Sequence, residues 1–137
     1  MTVDDVVEAI AWASLALAAV TTACSSSLRE VRARDPEFRF PGVPASRQFE
    51  VARCIRDVLD AGLGEESSIL QEIERDPDGM HVIGRPDESP SAAAAVFDVA
   101  VREDAVVAMM APAPVIPREM LRDAITTCVG TKGEQTR

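Results

Sequence analysis

The stretch AAAAVFDVAVREDAVVAMMA, Ala92 to Ala111, limits the fold more than any other part of this chain. Two apolar segments flank the charged turn Arg102-Glu103-Asp104, which is the pattern of an antiparallel β-hairpin. A half-buried strand alternates apolar and polar side chains, but both alternate sets here are apolar. The hairpin is therefore expected in a sheet covered by helices on one face and by more protein, or a second subunit, on the other. Adjacent residues of a strand face opposite ways, so Met109 and Met110 could send one thioether into the core and the other into a pocket or interface; core filling is the expected role.

The remaining segments predict an α+β domain: a long N-terminal helix and further helical segments, then a small, mainly antiparallel sheet and a C-terminal helix. Residues 1–130 are expected to form one domain and 131–137 a flexible tail. DPEFRFPGVPAS, Asp35 to Ser46, reads as an ordered connector with an extended piece at Phe38-Arg39-Phe40. Ser46 can cap a helix running to about Ala61 with Gly62 as terminator, and a shorter helical segment over 65–75 would present Ile69, Leu70 and Ile73. Met80 to Ile83 is a short strand candidate between Gly79 and Gly84. The last helix takes Pro117 as its first position and Gly130 as its C-terminal cap.

The N-terminal segment has two readings. Val7, Ile10, Ser14, Leu17, Thr21, Cys24, Leu28 and Val31 recur at alternating three- and four-residue spacing, as on one seam of a helix that begins at Thr2 and stops before Pro36. LALAAVTTACSSS, Leu15 to Ser27, also resembles the end of a lipoprotein signal with Cys24 as the modified residue. The acidic start, with Asp4, Asp5 and Glu8 and no basic side chain, opposes that signal and favours the helix. The run from Ala9 to Cys24 is shorter than the roughly 20 residues a bilayer core requires. Cys24, Cys54 and Cys128 have neither zinc spacing nor the even count of a disulfide framework, so reduced thiols in a cytoplasm are the expectation.

Net charge excludes some partners. The 137 residues carry a formal charge of −9, with the arginines scattered among acids rather than gathered in a stripe, so neither nucleic acid nor an anionic membrane surface is expected as a partner. Catalytic patterns are weak. ERDPDG, Glu74 to Gly79, begins like a calcium loop, but the closing carboxylate position falls on Arg85, so a plain turn is expected. His81 is the single histidine; a catalytic arrangement would need it beside Asp78 or Asp98 and a nucleophile such as Cys54. The pairs Asp57/Asp60 and Glu65/Glu66 read as solvated charge, and Gly62–Gly64 lacks the remainder of a phosphate loop.

Ala94, Ala95, Val96, Phe97 and Asp98, followed by Val106, Val107, Ala108, Pro112 and Gly130, resemble the closing portion of the effector-binding domain of IclR-type transcriptional regulators. The resemblance covers Ser91 to Gly130, and Ala95 stands where that family has proline. It implies a GAF-like sheet that holds a small organic effector, with Ser91, Asp98 and Met110 as ligand-lining residues and an oligomeric sensor domain. The first 90 residues carry no winged helix-turn-helix, so it implies a sensing or regulatory module without its own DNA reader. No cofactor or metal is expected. The alternative is an assembly protein whose apolar N-terminal helix binds a partner chain.

Overall fold

The computed structural model describes residues 26–87, 93–112 and 116–130. The expected helix from Thr2, the modified Cys24, the ligand residue Ser91 and the tail 131–137 lie outside the described residues. In chain order the elements are α1 (Leu28–Arg32), β1 (Phe38–Pro41), a 3-10 turn (Ala45–Arg47), α2 (Gln48–Leu63), β2 (Ile69–Asp76), β3 (Gly79–Pro86), β4 (Phe97–Arg102), β5 (Ala105–Met110) and α3 (Arg118–Val129). The architecture is α+β. All five strands form one antiparallel sheet in the order β1-β5-β4-β3-β2.

Pairing register fixes what each face carries. Phe97 faces Met110 and Gly84, and Val99 faces Val82 and Ala108, so these side chains share one face with Met80, Val101 and Val106. Helices α2 and α3 cover that face with Val51, Ile55, Leu59, Leu121 and Ile125, forming the main core. Neither helix needs strong local signals, because each presents one apolar stripe to the sheet. The opposite face carries His81, Ile83, Asp98, Ala100, Val107 and Met109. There α1 lays Leu28 and Val31 against Ile83, Ala100, Val107 and Met109. The two methionines thus point to opposite faces as expected, and both enter packed apolar clusters.

Gly84 shows how tightly the main core closes. A methyl group there would collide with the Phe97 ring, so the missing side chain lets β3 continue past Gly84 to Pro86 instead of ending at it.

Several expectations need correction. Leu28 and Val31 do not continue one helical seam through Ser27: Ser27 is extended, at φ −80° and ψ 160°, and starts a new helix through a capping box. Its hydroxyl accepts from the Glu30 N–H while the Glu30 carboxylate accepts from the Ser27 N–H. Residues 65–75 are not helical. β2 occupies Ile69–Asp76, where Ile69, Gln71 and Ile73 turn inward and Leu70, Glu72 and Glu74 outward. Helix α2 passes Gly62 and ends at Gly64, whose φ of +80° only glycine adopts without strain. Pro117 is the cap before α3, one position earlier than expected.

The cysteine expectation is also overturned. Cys54 of α2 and Cys128 of α3 form a disulfide across the two helices, with Cα atoms 5.7 Å apart and 74 residues between them in sequence. Helix packing against one sheet face brought together two thiols whose sequence spacing carries no pattern. Closing so long a loop removes much of the unfolded chain's freedom, which corresponds to about 4 kcal/mol. Urea unfolding followed by circular dichroism should therefore show the reduced protein, or Cys128→Ser, less stable by about 3–4 kcal/mol. Superimposable curves with and without reductant would refute a stabilising role for the bridge.

Candidate functional site

The polar centre of the molecule lies on the face covered by α1. Asp98 is the second residue of β4, the central strand of the sheet, flanked by Ile83 and Met109, and is fully buried. A carboxylate in such a place persists only with charged or strongly donating partners. Two elements supply them. From β3, His81 Nδ1 lies 3.0 Å from Asp98 Oδ1 and 3.1 Å from Oδ2. A carboxylate only accepts, so Nδ1 carries the proton and donates. From the last turn of α1, Arg32 Nε donates to Asp98 Oδ2 at 3.0 Å.

The chain of contacts continues outward. Asp76, the last residue of β2, places Oδ2 3.0 Å from His81 Nε2. The separation is that of an ion pair, but the oxygen lies off the line needed for a hydrogen bond, and Nε2 is buried without an aligned acceptor. Arg32 Nη2 is likewise buried and unpartnered. Asp76 also closes the tight turn to β3, its Oδ1 accepting from the Asp78 N–H at 3.2 Å. Chiefly that N–H, with lesser help from His81 and Arg32, holds the Asp76 carboxyl below its usual 3.8 despite partial desolvation. The turn itself is the plain Asp-Pro-Asp-Gly turn expected from sequence, and among the described residues no group of three or more acidic, histidine or cysteine side chains could hold a metal ion.

Asp76 and its turn also line an open concavity of about 420 Å³ at the end of the sheet, together with Gln48, Phe49, Arg75 and Glu103. Its walls are mainly polar. Phe49 is half exposed there, its ring beneath the Arg53 guanidinium at 6.0 Å.

Of the residues expected to line a ligand site, Asp98 is in the buried cluster and Met110 is packed in the main core on the other side of the sheet. They do not face a common pocket, and Ser91 lies outside the described residues. His81 does meet Asp98, one of the partners considered for it, while its second nitrogen faces Asp76 rather than a nucleophile. Cys54, the thiol that might have served, is bonded to Cys128. Sequence reasoning missed Arg32, which reaches Asp98 from 66 positions away, and saw Asp76 only as part of a turn. The sole available signal was a basic residue in the last turn of a short capped helix.

No family model matches this chain, and no curated protein or solved structure matches it. Among the described residues, no helix is long and apolar enough to cross a membrane.

Two consequences can be measured. Asp98→Ala leaves the Arg32 and His81 donors buried without their acceptor and should cost about 3–5 kcal/mol in urea unfolding. Arg32→Ala removes one of the two donors to the fully buried carboxylate while His81 remains, and should cost less, about 1–3 kcal/mol. Equal losses would show that the carboxylate is not the centre of the cluster. For Asp76, a lowered folded-state pKa means that its contribution is fully present above 3.8 and is lost as pH falls through the folded value. The stability gap between the native protein and Asp76→Asn should therefore stay constant above that pH and shrink below it; a gap that widens on acidification would reverse the sign of the argument.

Proposed function

We propose that this protein is a non-enzymatic small-molecule-binding module of an oxidising compartment, tethered there by a lipid on Cys24. One observation carries the compartment: the Cys54–Cys128 disulfide. Such bonds persist where the surroundings are oxidising and are reduced by the thiol buffers of a cytosol. The cytoplasmic location expected from sequence gives way in this reading, and with it a role in transcription.

The sequence around the third cysteine supports the tether. Ala9 to Ala23 is an uncharged, mainly apolar run, Ala23 is the small residue before Cys24, and Ser25-Ser26-Ser27 leads directly to the cap of α1. Cys24 is also the cysteine that the disulfide leaves over.

The binding role rests on the concavity beside Asp76 and on the His81 environment. Carboxylates face both ring nitrogens, and among the described residues no hydroxyl or thiol hydrogen-bonds the ring, so His81 is placed to organise charge rather than to activate a nucleophile. The resemblance to an effector-binding domain supports the same ligand scale.

Intact mass and fractionation from the native host test the proposal. The expected product begins at Cys24, carries the added mass of a lipid, sediments with membranes and shows no free thiol at Cys54 or Cys128 after denaturation without reductant. A chain retaining residues 1–23, with free thiols and in the soluble fraction, would refute it and restore the reading in which the N-terminal segment docks onto a partner.

A further inference from the structure

We infer that the end of the sheet where β4 begins and β3 ends rests directly on a lipid bilayer, with the Leu70 side chain in the headgroup layer and the concavity beside Asp76 open to water at the opposite end. The inference rests on the lipid tether proposed above and adds the surface and orientation of the membrane contact.

The length of chain after Cys24 carries it. Cys24 precedes Ser26 by two residues, a reach of no more than about 7 Å even when fully extended. From Ser26 onward the chain is already part of the fold: the Ala95 N–H donates to the Ser26 carbonyl at 2.8 Å, Ser27 bridges Ala94, and the Leu28 N–H donates to the Ala93 carbonyl at 2.6 Å. A lipid on Cys24 therefore leaves no slack on which the domain could drift from the bilayer. The tie is made just before β4, the central strand, so the sheet stands over its anchor rather than hanging from one edge.

Leu70 supplies a second contact. Among the described residues, the large apolar side chains left exposed are Phe49 and Leu70, the latter at 55%. Leu70 pairs with Arg85, whose guanidinium donates to the Ala94 carbonyl at 3.2 Å, next to the residue that holds Ser26. It thus lies on the tethered end, two strand spacings or about 10 Å to the side of β4. An exposed leucine is ordinary on a protein surface, but beside a lipid anchor it gains by leaving water for the acyl boundary.

The other end has the opposite character. Strands β2 and β3 run eight residues each, about 24 Å, between the tethered end and the Asp76–Gly79 turn. Asp76, Asp78 and Glu103 gather there around the concavity. Carboxylates are costly in hydrocarbon and repelled by anionic headgroups, so this end stays in water. A ligand reaches the concavity without crossing the membrane surface.

Tryptophan fluorescence reads the orientation, because the single Trp12 lies in the segment removed when Cys24 becomes the first residue. Leu70→Trp and Phe49→Trp, each at an exposed position, give mature proteins with one tryptophan at the tethered end or at the concavity. Each lipidated protein is reconstituted into phosphatidylcholine vesicles that contain lipid brominated near the headgroup end of its acyl chains. Leu70→Trp should emit at shorter wavelength and lose most of its intensity to the brominated lipid, whereas Phe49→Trp should keep its intensity there and be quenched by aqueous iodide. Ser68→Trp, exposed on the same end, replaces Leu70→Trp if that variant does not fold. Equal quenching of the two positions by brominated lipid, or none at either, in protein whose mass includes the lipid would overturn the inference alone. A product without lipid on Cys24, still containing Trp12, would instead remove the tether on which the inference rests.

Discussion

The burial of Asp98 is the constraint around which one side of the molecule is arranged. A carboxylate at the centre of an apolar sheet face would neutralise itself or unfold its surroundings unless donors come to it. β3 supplies His81 and α1 supplies Arg32, so a five-residue helix too short to be stable alone is pinned to the sheet at both ends. At its start the Ser26 carbonyl accepts from the Ala95 N–H and Ser27 bridges Ala94; at its end the Arg32 side chain enters the cluster. Leu28 and Val31 between them supply the apolar contact.

The other face is held by different physics. Phe97, Ile55, Leu59, Leu121 and Ile125 pack without polar groups, and the disulfide fastens the two helices that cover them. With few aromatics, this core relies on close fit: Phe97 lies over Gly84, and Arg118 both stacks on Phe38 at 5.5 Å and pairs with Glu37 at 2.8 Å where β1 enters the sheet. The non-directional interior carries the shape of the domain, while the directional contacts are concentrated around Asp98.

How much of this could be read from the residues depended on whether a signal was local. The β4–β5 hairpin was legible because both faces are apolar and a charged turn divides them, and Phe38 with Phe40 marked β1. β2 was misread because Ile69, Leu70 and Ile73 also fit a helical stripe. Its two-residue period is disguised by Gln71, an inward polar residue whose amide donates to Asp60 at 2.6 Å and to the Arg56 carbonyl at 3.1 Å. The disulfide and the Arg32–Asp98 pair were invisible for one reason: they join segments 74 and 66 residues apart, and only the folded topology makes them neighbours. At the site, Asp98 and His81 were both singled out, but their pairing was one option among several, and Asp76 looked like turn chemistry only.

That double character of Asp76 is what links the fold to the proposed binding. A residue committed wholly to the turn would leave His81 facing solvent, and one committed wholly to His81 would open the β2–β3 turn; Asp76 divides its two oxygens between the tasks and satisfies neither ideally. The compromise is tolerable because Asp98 already meets the electrostatic needs of the buried donors, so the Asp76 contact contributes little to holding the sheet together.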